Sequence, residues 1–153
     1  MTEQIIKKIK TVRPVNVTQL RRICKLKRMG SGAFRRAYSI IKTDAIVKFS
    51  FGADGISHTQ DEIKNIRKIK TVKRFQRFKK YLPKIYYWDE TYGVIIMEQI
   101  QMNVTEDQAS KIKAKFEKMF PKGGFTDLHK RNVGRNKKGQ IKVIDFGVIG
   151  GQE

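Results

Sequence analysis

A chain of 153 residues, 39% of them hydrophobic and 31% charged, is large enough for one packed core and small for a two-lobed enzyme. Its 34 lysines and arginines against 14 acidic residues leave a net charge of +20, a surface that attracts nucleic acid, an acidic protein, an anionic membrane face or nucleotide phosphates. The single cysteine, Cys24, excludes an internal disulfide; with neither a membrane-length apolar run nor a signal-peptide core, the expected location is the cytoplasm.

In chain order, Ile5, Ile6 and Ile9 at helical spacing predict a short helix over 3–11, stopped by Pro14. Residues 20–28 fit a strand, with Cys24 as a small core residue, running into the turn Gly30-Ser31-Gly32. Strands over 36–42 and 45–51 follow, joined at Thr43-Asp44, and 52–55 reads as a loop. Thr59-Gln60-Asp61-Glu62 has the form of a capping box opening a long helix that Pro83 ends. Within it Ile63, Ile66, Ile69, Val72, Phe75 and Phe78 recur every three residues, so the apolar stripe drifts, which implies a bend near Thr71 or burial on more than one face. Strands over 84–88 and 92–99 turn at Asp89-Glu90. A second capping box, Thr105 to Gln108, starts a helix with Ala109, Ile112, Phe116 and Met119 on one stripe, closed by Pro121 and Gly123-Gly124. A hairpin over 133–144 turns at Asn136-Lys137-Lys138-Gly139, and no internal repeat is present.

Several residue types needed for phosphate chemistry occur along this chain. The turn Gly30-Ser31-Gly32-Ala33-Phe34 lets backbone amides approach phosphate oxygens without an intervening side chain. Lys48, in a strand, supplies a point charge for phosphates, and Glu62, in the following helix, can pair with it. Asp127 can orient an acceptor hydroxyl and take its proton, while Asn132 and Asp145 offer hard oxygens for Mg²⁺. Taken singly, each has a plainer reading: an ordinary turn, a solvated strand lysine, a helix-capping glutamate, a turn former ahead of Gly147. Only their order argues for more: glycine turn, strand lysine, helix glutamate, then Asp127-x4-Asn132 and Asp145-Phe146-Gly147 across a hairpin.

On those motifs the stretch from Leu26 to Gly147 resembles the protein-kinase-like superfamily. The resemblance implies an α+β fold: a five-stranded antiparallel N-lobe sheet with one long helix, plus a reduced C-lobe of one helix, the catalytic loop and a β-hairpin. It divides a single minimal domain into an N-lobe over 1–98, a hinge over 99–103 and a truncated C-lobe over 104–153. Met97, Glu98, Gln99 and Ile100 would read adenine through their backbone, with Met97 as gatekeeper, Ala45 or Val47 lining the adenine slot and Phe34 at the tip of the phosphate loop. ATP and Mg²⁺ are the implied cofactors. The form Asp127-Leu128-His129-x-x-Asn132, with His129 where protein kinases carry lysine, is more similar to aminoglycoside and choline phosphotransferases and to atypical kinases. Arg35 stands at the third loop glycine, Phe125-Thr126 replaces His-Arg, and the sequence runs only six residues past Gly147, which leaves no activation segment. Atypical kinases of the RIO and tRNA-modification-associated types also lack that segment and act near RNA or ribosomes.

The helix over 64–80 carries Arg67, Lys68, Lys70, Lys73, Arg74, Arg77 and Lys79, which is either a solvated face or a surface for an acidic protein or nucleic acid. Phe75 and Phe78 fit core anchors better than base-stacking platforms. Three functions are thus in view: a phosphotransferase moving the γ-phosphate of ATP to a hydroxyl, expected on a protein; a pseudokinase-like interaction protein; and a nucleic-acid-binding domain whose motifs are accidental. The short chain suggests a phage-like protein completed by a host factor or a second copy.

Overall fold

The computed structural model describes residues 2–31, 35–101, 103–119 and 133–143. These form two compact units, Met1–Gln60 with Lys84–Gln99, and Asp61–Pro83 with Ile100–Glu153.

The first unit is a five-stranded antiparallel sheet in the order β1-β2-β3-β5-β4: β1 Leu26–Ser31, β2 Arg35–Ile40, β3 Ala45–Ser50, β4 Ile85–Asp89 and β5 Val94–Glu98. Alternation puts Tyr38, Ile40, Ala45, Val47, Phe49, Val94 and Ile96 on one face, where they bury against Ile6 and Ile9 of α1 (Thr2–Lys10) and Leu20 of α2 (Val17–Leu20). β2 to β5 match the sequence reading closely, whereas β1 begins at Leu26 rather than at 20 and runs through Gly30 and Ser31, where a turn was expected. At Thr43-Asp44, the Thr43 hydroxyl donates to the Ile40 carbonyl at 2.7 Å and accepts from the Ala45 amide at 3.1 Å. Gly93 closes the β4–β5 turn at φ +66°, and a Cβ there would collide with the Ser50 side chain, so both conformation and space require glycine.

Three sequence expectations are corrected here. Cys24 lies in a turn ahead of β1 rather than in a strand, with its thiol donating to the Leu20 carbonyl at 3.3 Å; α2, capped by the Asn16 side chain on the Gln19 amide at 2.9 Å, occupies sequence in which no helix was expected. Residues 52–55 are not a loop but the first turn of α3 (Gly52–Thr71). Thr59 is therefore no N-cap: it is buried within α3, its hydroxyl 2.8 Å from that of Ser50, which in turn donates to the Gly93 carbonyl.

The expected long helix does not reach Pro83. α3 ends at Thr71, Val72 is extended (φ −82°, ψ 120°), and Lys73–Tyr81 forms a 3-10 helix. This is the physical content of the three-residue period. A 3-10 helix has about 3.0 residues per turn, so Phe75, Phe78 and Tyr81 stack in one buried row without drifting. The basic segment 64–80 is accordingly two helices with a break, and the bend falls where the sequence placed it. Gln76 joins them: its side-chain amide donates to the Lys70 carbonyl at 2.8 Å, satisfying an acceptor at the end of α3.

In the second unit Phe116 of α4 (Glu106–Met119) packs against Phe78 and Tyr81, with ring centroids 4.6 and 5.9 Å away. The capping box of α4 forms as read: the Thr105 amide donates to Gln108 Oε1 at 3.0 Å and the Gln108 amide to Thr105 Oγ1 at 3.1 Å. The hairpin β6 (Val133–Arg135) and β7 (Ile141–Val143) turns on Asn136, whose Oδ1 accepts from the Lys138 and Gln140 amides, with Gly139 at φ +77°. Gln101 and Arg135 exchange backbone hydrogen bonds of 2.8 and 2.9 Å, and a Cβ at Gly134 would run into the Gln101 carbonyl and Ile100.

Candidate active site

The strand pairings carry one line of residues across the sheet: Gly30 opposite Ala37, Ala37 opposite Lys48, Lys48 opposite Ile95, Ile95 opposite Trp88. Directly opposed residues share a face, so Gly30 and Lys48 lie on the face that α1 and α2 do not cover, two strand spacings or about 10 Å apart. One step along that face, Ile46 pairs with Met97. The sheet thus gathers Gly30, Lys48 and Met97, residues separated in sequence, on one surface. A bulge between Arg28 and Gly30 offsets the end of β1. A Cβ at Gly30 would meet nothing within 4 Å, so packing among the described residues does not demand a glycine there. Ser31 ends β1.

Among the described residues, Lys48 and Glu62 are the two buried charged side chains, 7% and 1% exposed; the other buried polar groups are Thr59, Asn65 and Asn136. Lysine and glutamate are almost never buried without a partner. The plainer readings of both now fail. Lys48 is not a solvated strand lysine, and Glu62 is not a capping residue, because α3 begins at Gly52 and Glu62 sits on its buried face with Ile63 and Ile66.

Beyond Met97, itself 1% exposed, the backbone is heavily engaged. The Glu98 amide donates to the Lys84 carbonyl at 2.9 Å and the Gln99 amide to the Asp44 carbonyl at 2.7 Å. The Glu98 carboxylate accepts from the Lys84 amide at 3.0 Å, a strand-edge role the sequence reading did not foresee. Gln99 ends the Lys84–Gln99 stretch of the first unit, and Ile100, 6% exposed, begins the Ile100–Glu153 stretch of the second. Asp44 was also not singled out. Its carboxylate accepts from the Thr2 hydroxyl at 2.9 Å and the Tyr86 hydroxyl at 2.8 Å, tying α1 and β4 to the β2–β3 turn. Burial first, then the hydrogen bond and charge of Asp44, push the Tyr86 phenol far above its ordinary pKa.

Gly32, Ala33, Phe34, Asp127, His129, Asn132 and Asp145 lie outside the described residues. Among the described residues no helix is long and apolar enough to cross a membrane.

No family profile and no curated protein matches the sequence. Among solved structures, the chain is similar to one in the ternary complex of streptomycin, ATP and APH(2")-IIa, with 16% identity and a TM-score of 0.42. That likeness covers 74% of this chain and 34% of the other. So loose a superposition is a likeness in outline, and the site is read from this chain's own residues.

Proposed function

We propose that the protein is an ATP- and Mg²⁺-dependent phosphotransferase that moves the γ-phosphate to a hydroxyl, on a protein in preference to a small molecule. The observation that carries this reading is the burial of two complementary charges, Lys48 and Glu62, which the order of motifs had already set aside as phosphate anchor and counter-ion. Lys48 holds the α- and β-phosphates, and Glu62 keeps its ammonium extended and charged. Gly30 and Ser31 at the end of β1, with Gly32, Ala33 and Phe34 after them, offer their backbone to the phosphates, and the backbone from Met97 through Glu98 to Ile100 flanks the base. Asp127 orients the acceptor hydroxyl and takes its proton late in transfer, as the oxygen–phosphorus bond to the acceptor forms and that to ADP breaks.

Asn132 and Asp145 are the metal ligands of this reading. An amide carbonyl and a carboxylate form a hard-oxygen set that suits Mg²⁺, which when bound neutralises charge on the transferring phosphoryl group. Support comes from the hairpin between them: Val133 pairs with Val143, one residue after Asn132 and two before Asp145.

The test is γ-phosphate transfer or ATP hydrolysis with Mg²⁺. Asp127→Ala and Asp145→Ala should each lower turnover by about 10² or more relative to the unsubstituted chain. Turnover that both variants leave unchanged refutes the enzyme reading. ATP binding without turnover would leave the interaction-protein reading, which Arg35 at the third loop position favours.

A further inference from the structure

The strongest feature outside this site is a cavity of about 320 Å³ in the second unit, lined by Arg77, Phe78, Lys80, Tyr81, Lys115 and Lys118. Two of its cations come from the 3-10 helix and two from α4, and no carboxylate is among the described residues lining it. Its floor is closed, because Phe78 and Tyr81 are 3% and 8% exposed. Arg77 lies over Phe78 at 5.4 Å and Lys80 over Tyr81 at 5.2 Å, while Lys115 donates to the Tyr81 hydroxyl at 3.3 Å. Lys142 of β7 buttresses the rim by donating to the Lys80 carbonyl at 2.9 Å. Three of the four exposed cations, Arg77, Lys80 and Lys115, thus hold their charged groups against aromatic rings, and Lys118 is exposed beside them.

The array continues beyond the cavity. In a 3-10 helix positions i and i+3 eclipse, so Arg74, Arg77 and Lys80 form one row with about 6 Å of rise per step. Each lies over the aromatic ring next to it in sequence, Arg74 over Phe75 at 4.7 Å completing the set. Carboxylates that offset charge elsewhere on α4 are engaged away from the cavity: Asp107 with Lys111 at 3.2 Å and Glu117 with Lys113 at 3.9 Å.

We infer that this cavity and row bind the sugar-phosphate backbone of a single-stranded polynucleotide, the cavity taking one phosphodiester and Arg74 a neighbouring one. A periodic row of cations suits a ligand that repeats one phosphate per unit whatever its sequence. An acidic protein is the weaker fit: its carboxylates keep no such period, and protein interfaces rely on apolar anchors, whereas these rings are already buried and covered by cations. The inference is independent of the nucleotide site, since none of these residues takes part there.

The test is fluorescence anisotropy of the full chain with labelled uridylate and deoxythymidylate 20-mers over a range of KCl concentrations. Single-strand binding loses about 0.7 in log K per log salt for each phosphate contact. The triple variant Arg77→Ala/Lys115→Ala/Lys118→Ala should flatten the slope by about 0.7, the share of one phosphate, and weaken binding about tenfold or more at roughly 0.1 M salt. The charge-matched control Lys7→Ala/Lys8→Ala/Lys10→Ala on α1 should leave the slope unchanged. If the triple variant melts early, Lys118→Glu alone, at an exposed position, should still weaken binding. Equal losses from both triples, wild-type binding by Lys118→Glu, or displacement of the strand by polyglutamate at equal charge concentration would each overturn the inference. Tighter binding of the ribo-oligomer would assign the ligand to RNA, and equal binding to single strands generally; both uphold the backbone site.

Discussion

At the scale of single residues, the pair Lys48 and Glu62 makes the sharpest prediction. If the two charges pair as proposed, removing either leaves the other uncompensated, so Lys48→Met and Glu62→Gln should each cost about 3–5 kcal/mol in urea unfolding. The double variant should cost clearly less than their sum; additive losses would mean that the two charges do not meet. Tyr86 supplies a second. Its phenol holds its proton more tightly when folded, so its contribution to stability is intact below about pH 10 and is lost as pH rises above that value. Ultraviolet difference titration should show Tyr86 ionising late, and Asp44→Asn should bring its titration to lower pH. The sequence revealed Lys48 through its place in a strand and Glu62 only through its place in a motif. The local pattern Thr59-x-x-Glu62 pointed to a cap instead, because Thr59 is buried against Ser50, outside the four residues of the motif. Asp44 was hidden for the same reason: its partners Thr2 and Tyr86 are each 42 residues away.

Among the elements, those decided locally were legible and those decided by packing were not. The Thr105 capping box, the Asn136–Gly139 turn and the alternating strands each carry their own hydrogen-bonding logic within a few residues. α2 is four residues long, too short to show a period, and its one signal was the Asn16 cap. Gly52 and Gly55 read as breakers, yet α3 begins at the first and runs through the second. The period of three over 63–78 was visible, but it was read as α-helical drift rather than as partly 3-10 geometry. Two substitutions test these elements by chemical denaturation. Gln76→Ala frees the Lys70 carbonyl at the α3 break and should cost about 1 kcal/mol. Gly134→Ala forces a methyl group into the Gln101 backbone and should cost about 1–3 kcal/mol.

For the whole molecule, a net charge of +20 means that folding concentrates repulsion that the unfolded chain disperses. Raising NaCl from about 10 mM to about 0.1 M shortens the screening length from about 30 Å to about 10 Å, so the melting temperature should rise by a few degrees. A scanning-calorimetry midpoint that falls over that interval would contradict this. Charge also has to be kept on the proper side of each element, and the 3-10 segment does so by strict threefold repetition. Losing Gln76, for example, would rotate the downstream side chains by about a third of a turn, handing Lys79 to the interior and Phe78 to water. Gain or loss of three residues would preserve that sorting, so length variation in this segment should be tolerated by whole turns only.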